Sequence, residues 1–433
     1  MPRVLVVGHT AAPGGAELAL VRLCGALDPS LASVAVLLFE DGPLRARLET
    51  DGHEVAVLPL RADVRTAHRD ASLRSWSALR GALVAAVEVV RFTARLTHAV
   101  RAQAPDVLHA TTLKADLLCM VPALLARVPL VWHVHDRIAA DYMPAPVAAL
   151  LRALARVVPR HVVVNSMATA GTLRPPRGRW TLAYPGLLPT QVRPWPERTE
   201  PRSPVVGIVG RVGATKGQRE LVQAAALVVA HHPQVTFRII GGALFGEEGY
   251  EAEVRSLVGS LGLRGSVRLT GHVDDPVGEL DGLSVCVHAS PVAEPFGQVV
   301  VEAMARGVPV VATCAGGVPE ILLADGGRGA AGARPARSGT GPRRTPFGVL
   351  VPPGDVAALA AAVLDVLDDP VGARERARAA WLRVQEQFMI DRTCAAVLGA
   401  WSAVLSSGPS GGLRGQRVVR SSRGGRRGRP ASR

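Results

Sequence analysis

Glu294-Pro-Phe-Gly-Gln-Val-Val-Val-Glu302 runs on as Ala303-Met-Ala-Arg-Gly-Val-Pro-Val-Val311, and Ser284–His288 stands just before it. The stretch reads as strand, loop, helix, a glycine at the helix end, then a second strand. That order makes one unit of a parallel sheet, in which short apolar strands alternate with covering helices. Gly297 lets the backbone come close to a ligand. The unbonded amides at the start of the following helix suit a phosphate. Glu294 precedes that helix and Glu302 lies more than a turn inside it. The two carboxylates can therefore accept hydroxyl hydrogen bonds from different parts of one long ligand.

Working outward, the same alternation extends upstream through Val205–Val209, Gln218–Ala230, Thr236–Ile240, Glu251–Leu261 and Val267–Leu269. A second series of similar size occupies the first half: Val4–Val7, Ala16–Leu27, Val34–Phe39, Pro43–Asp51, Val55–Leu58, Val107–His109, Leu130–His135 and Val162–Asn165. Leu73–Ala102 reads as a long helix. Between the series, Pro185 to Pro204 is punctuated by prolines and reads as a linker. A chain of 433 residues is too long for one core. The expected fold is α/β, with two facing Rossmann-like domains. Their shared cleft is the default ligand site, because open parallel sheets bind at the carboxyl ends of their strands. The expected division is 1–185, a linker at 186–203, and 204–384, with a helix at about 385–405 packing back on the first domain. Residues 325–346 are rich in Gly, Ala, Arg and Pro and read as a disordered surface insertion.

Three further elements carry chemistry. Gly210-Arg211-Val-Gly-Ala-Thr-Lys216-Gly217 sits between a strand and a helix. Thr215 occupies the glycine position that a Walker P-loop requires before its lysine. Arg211 nonetheless offers a forked donor and Lys216 a point charge, a pair suited to a diphosphate. Lys114 and Lys216 are the two lysines of a chain that otherwise uses arginine. Gly14-Gly15-Ala16-Glu17 follows the first strand and permits close backbone approach at a helix start. Trp132-His133-Val-His135-Asp136 ends another strand, with both histidines on one strand face. Either could meet a substrate, and such a pair also serves zinc in some hydrolases. The chain has no Asp-x-Asp pair to hold a metal on a diphosphate.

The net charge of +14 is unevenly placed: 408–433 hold eight arginines and no acid. That tail, expected to be disordered from about 407, binds any polyanion, and the folded part offers no module for reading nucleic acid. Five scattered cysteines without a Cys-x-x-Cys fit reduced thiols. The start lacks the apolar core of a signal peptide, and no apolar run reaches the length of a membrane span. The expected location is cytoplasmic.

The residues resemble the retaining glycosyltransferases of family 4, of GT-B fold. The resemblance rests on the Glu-x7-Glu stretch with its Glu-Ala-Met-Ala continuation, the Gly-Arg…Lys-Gly element, Ile239-Ile-Gly-Gly242, Val351-Pro-Pro-Gly-Asp355, Gly14-Gly-Ala-Glu17 and residues 41–55. It covers nearly the whole chain except the insertion and tail. It implies a donor that is a nucleotide-diphosphate sugar, held by the second domain with no cofactor and no metal, and an acceptor held by the first. Arg211 and Lys216 would neutralise the diphosphate, Glu294 would read sugar hydroxyls, and Glu302 the ribose diol. Gly14 and Gly15, with Gly297, Gln298 and Val299, would face the donor from the two domains. His135 aligns with the family's cleft histidine, His133 standing second. The resemblance implies reaction on one face of the sugar, with retention. Two departures stand out: the 325–346 insertion, and Pro185 where an asparagine usually precedes Gly186.

The acceptor is expected to be a saccharide, a lipid-linked saccharide or a small molecule. Arg-bearing Leu73–Ala102, apolar-basic Val147–Arg160 and the tail add an expectation of peripheral contact with the anionic inner face of the cell membrane. Rival readings are a nucleotide-sugar epimerase of the same fold and a metal-dependent hydrolase using His133 and His135.

Overall fold

The computed structural model describes residues 1–12, 14–60, 76–195, 203–244, 246–326 and 341–407, with side chains at 76–85 excepted. The first sheet holds β1 (Arg3–Gly8), β2 (Ser33–Leu38), β3 (Glu54–Val57), β4 (Val107–Ala110), β5 (Leu130–Val134), β6 (His161–Val164) and β7 (Trp180–Leu182). Their order is β3-β2-β1-β4-β5-β6-β7, all parallel. Val4, Leu5, Val6 and Val7 are all buried. An alternating strand would leave every second residue wet; a run buried throughout needs helices on both faces.

The second sheet repeats the plan with β8 (Val205–Val209), β9 (Thr236–Ile240), β10 (Val267–Gly271), β11 (Val285–His288), β12 (Val310–Thr313), β13 (Arg343–Thr345) and β14 (Gly348–Val351). The order is β10-β9-β8-β11-β12-β14-β13, parallel except for the antiparallel β13–β14 pair. The segment expected to be disordered over 325–346 instead ends in an edge strand, because Arg343–Thr345 pairs antiparallel with β14. Its centre, 327–340, lies outside the described residues, as do 61–75 and the Arg-rich 408–433.

In each sheet the strand order reverses beside the first strand, between β1 and β4 and between β8 and β11. Such switch points open crevices at the carboxyl ends of the strands. The chain crosses between the sheets twice. Going out, Gly186 and Leu187 lie against the returning segment: Leu187 N donates to Phe388 O at 2.8 Å and Ile390 N to Leu187 O at 3.0 Å. A Cβ on Gly186 would come within 2.7 Å of Ile390 backbone, so the two crossings touch because residue 186 has no side chain. The returning helix, Ile390–Ser406, buries Ile390, Val397 and Trp401 in one core with Val4, Leu20 and Leu23 of the first domain. Among the described residues no helix is long and apolar enough to cross a membrane.

Candidate functional site

The second sheet's crevice is built by the turn after β8 and the loop after β11. Gly217 adopts φ +86°, and a Cβ there would stand 2.1 Å from Ala289 O. A side chain at 217 would lift the turn off the loop. The close approach brings Lys216 Nζ to 2.6 Å from Glu294 Oε1. His288, the last residue of β11, places Nε2 3.2 Å from Glu294 Oε2. Burial pushes the Glu294 carboxyl up, but Lys216 and His288 outweigh it and hold the pKa well below the usual carboxylate range. Glu294 is thus a fixed anion with its own cation beside it.

Glu302 sits inside the Gln298–Ala305 helix and accepts from Gln298 Nε2 at 3.0 Å. Burial raises its pKa, opposed by the charge of Arg22 and the Gln298 bond. Gly297, at φ +102°, starts that helix, so Gln298 and Val299 form its first turn. Facing it is the start of the Gly15–Ala26 helix: a Cβ on Gly15 would meet Gln298 Oε1 at 4.0 Å. Two helix N-termini from different domains therefore converge, each a pole of positive potential. Arg22 on the first-domain helix is buried and donates from Nε to Gly186 O at 2.9 Å.

The histidines form a buried chain. Trp401 Nε1 donates to His109 Nδ1 at 3.0 Å, and His109 Nε2 lies 3.3 Å from His133 Nδ1. Burial lowers the His109 pKa to about 3, so the ring is neutral. Because its Nδ1 accepts from the indole, its proton sits on Nε2 and points at His133. Burial also takes His133 far below the usual range, so that ring is neutral and carries its proton on Nε2. The His135 ring packs 4.2 Å from the His133 ring and is the less buried of the two. Burial lowers its pKa to about 4. Both histidines line a cavity of about 10 Å³ with Thr111 and Thr393, room for roughly one water.

The structure thus joins Lys216 to Glu294, Gly15 to Gln298, and His133 to His135. Arg211 is turned elsewhere, 3.7 Å from Glu247 and 3.4 Å from Thr215 Oγ1. Glu294 and Glu302 keep separate partners. Sequence reading missed His288, His109 and Trp401. The first two end or line strands at switch points, a place where a polar residue is a readable signal. Trp401 carries no such signal, because its partner is 292 residues away. Among the described residues no group of three or more His, Cys, Asp or Glu is placed to hold a metal ion.

Residues 14–179 match the model described as Glycosyl transferase 4-like domain, and residues 193–381 the model described as Glycosyl transferases group 1. A glycogen synthase of Mycobacterium tuberculosis is 32% identical over 186 residues, 42% of this chain and 38% of that protein. A 2-deoxystreptamine glucosyltransferase of Streptomyces kanamyceticus is 32% identical over 206 residues, 47% of this chain and 46% of that protein. The chain therefore spans less than half the length of these two relatives. Among solved structures, Anabaena Alr3699/HepE, crystallised in complex with UDP and glucose, superposes at a TM-score of 0.75 and 26% identity, over 93% of this chain and all of that one.

Proposed function

We infer, from a chain that joins a glycosyl transferase 4-like domain to a group 1 domain on the GT-B fold, that it transfers a sugar from a nucleotide-diphosphate donor to a hydroxyl-bearing acceptor, with retention. One observation carries the reading: Lys216 and Glu294 meet at the second sheet's switch point, under the converging starts of the Gly15–Ala26 and Gln298–Ala305 helices. A diphosphate lying between those helix ends has Lys216 for its charge, and its sugar then lies over the ionised Glu294. Arg211, one turn earlier in the same loop, is the second cation for the leaving group once it leaves Glu247. Glu302, further inside the helix, takes the ribose. Neutral His135 faces the sugar from the first domain as a hydrogen-bonding group. Catalysis in this arrangement is positioning and charge stabilisation of the departing diphosphate. The HepE complex makes UDP-glucose the first donor to try.

The test is calorimetry with UDP and UDP-glucose, followed by NMR of the anomeric proton of the first-formed product. Lys216→Ala should weaken UDP at least tenfold. Absence of binding to any nucleoside diphosphate, or an inverted product, removes the corresponding part of the reading.

We also propose peripheral contact with anionic membrane, which suits a lipid-linked acceptor. The Met120–Ala126 helix exposes Val121, Leu124 and Leu125 beside Arg127. The Ala145–Val157 helix exposes Val147, Leu150 and Val157 beside Arg156 and Arg160, and both helices cover the same core. Basic charge beside exposed apolar side chains is the pattern of an interfacial face. Sedimentation with anionic vesicles at low salt should carry the protein down, and Leu124→Asp with Leu150→Asp should release it. No sedimentation of the wild type ends the idea.

A further inference from the structure

The loop that carries Glu294 is held from the other domain. Arg137 Nη1 donates to Ala293 O at 3.1 Å, and Ser166 Oγ donates to Pro295 O at 2.6 Å. These are the carbonyls immediately before and after Glu294. The third carbonyl, Glu294 O, accepts from Gly317 N at 3.0 Å, and a Cβ on Gly316 would stand 1.9 Å from it. Gly316 and Gly317 lead into the Val318–Leu322 helix, whose Glu320 reaches back into the first domain. There its carboxylate accepts from Met167 N at 2.8 Å, Ala168 N at 2.6 Å and the Tyr184 hydroxyl at 3.1 Å.

The proton inventory agrees with this assignment. Thr169 Oγ1 donates to Asn165 Oδ1 at 2.7 Å, and Ser166 Oγ accepts from Thr169 N at 2.9 Å. The single Ser166 proton then has two acceptors in reach, Thr169 Oγ1 at 3.1 Å and Pro295 O at 2.6 Å, and the shorter bond across the domains goes to Pro295 O. Glu320 is buried, and its ionised form has lone pairs for all three donors. A buried carboxylate that takes two backbone amides at a helix start in another domain is a closed contact, lost as soon as the domains part.

We propose that Arg137, Ser166 and Glu320 are positioning residues that make the aim of Glu294 depend on contact with the first domain. The inference rests on the reading of Glu294 as the residue that meets the donor sugar. Lys216 and Glu302 belong to the second domain and take their hydrogen-bond partners, Glu294 and Gln298, from within it. Glu294 has both neighbouring carbonyls pinned by the first domain. The acceptor-side domain thus completes the sugar-reading half of the donor site, and a sugar is aligned for transfer when the domain that brings the acceptor is in place.

The experiment is UDP release from UDP-glucose with water as acceptor, beside calorimetry with UDP. Ser166→Gly keeps most of the helix cap and removes the hydroxyl donor; Glu320→Gln sets an amide donor against backbone N–H groups. Each should lower kcat about tenfold and leave UDP affinity within twofold, and Ser166→Thr should restore turnover. In a Glu294→Gln background neither change should lower the rate further, because both act through the same residue. Multiplicative loss on a defective Glu294→Gln enzyme overturns the clamp alone, as does a parallel fall in UDP affinity. Full activity of Glu294→Gln, or absence of UDP release by the wild type from UDP-glucose and other nucleotide sugars, overturns the reading on which the clamp rests.

Discussion

Asp116 has no exposed surface, and neither of its carboxyl oxygens meets a donor. Burial, helped by the charge of Asp136, raises its pKa well above the usual range. An acid with a raised folded-state pKa binds its proton more tightly folded than unfolded. Its effect on stability is neutral below the unfolded pKa near 4, and stability falls as pH rises from there to the raised value. Asp116→Asn removes that penalty. Thermal unfolding should show no difference from wild type near pH 4 and a gain of about 1 kcal/mol or more at pH 7. Glu302 gives a second titration, in function. Arg22, Gln298 and Cys286 face it, and burial raises its pKa. On the proposed ribose contact the ionised form is the one that accepts from both hydroxyls, so UDP affinity should fall as pH drops through that raised value. Glu302→Gln should bind UDP about tenfold more weakly at pH 7, with the acid limb gone. Its partner change, Glu294→Gln, should lower kcat and spare UDP affinity. The meeting of Lys216 with Glu294, and the separate place of Glu302, could be anticipated from their positions before and inside one helix and in one strand-to-helix turn. Asp116 could not be, since a buried acid looks like any solvated one until its neighbours are known.

At the scale of elements, the Ile390–Ser406 helix does more than cover a core. Its Trp401 fixes which nitrogen of His109 holds the proton, and through it the tautomer of His133. Trp401→Phe keeps an aromatic ring but leaves a small cavity and takes the donor from His109 Nδ1, the lost hydrogen bond alone costing roughly 1–3 kcal/mol. Nitrogen NMR of labelled histidine should then show mixed tautomers at His109 and His133, where the wild type shows one. Unchanged tautomers would show that the indole does not set them. The strands that sequence reading found are the ones with apolar runs, such as Val4–Val7 and Val205–Val209, where burial on both faces writes itself into composition. It missed β7 and β13, edge strands with little buried surface, and also β14, whose Gly348–Val351 run is buried throughout but follows directly on the segment read as an insertion. An edge strand paired on one side needs no apolar run.

At the scale of the molecule, the first domain is incomplete without the chain's last described helix. Ile390, Cys394, Val397, Ala400, Trp401 and Val404 lie in its core. At about 1.5–3 kcal/mol for each large apolar side chain, their loss rivals the whole stability of a typical domain. A chain cut after Gln387 should therefore lose the first domain's cooperative unfolding transition while the second domain still binds UDP. Adding a peptide of residues 388–407 should restore the transition, and a normal first transition without it would refute the dependence. The return of the chain was foreseeable from a long helical pattern after the second series; where it crosses was not, because the contact between Gly186 and Ile390 depends on backbone approach alone. That crossing has a mechanical consequence. A single tether would let one half of the molecule swivel freely on the other. Two tethers bonded side by side, as Leu187 is to Phe388 and Ile390, behave like the paired pins of a door: they leave one easy axis and resist torsion about any other. On the proposed function, a hydroxyl held by the first domain would then travel to the donor along one arc and meet it from the same side on every turnover.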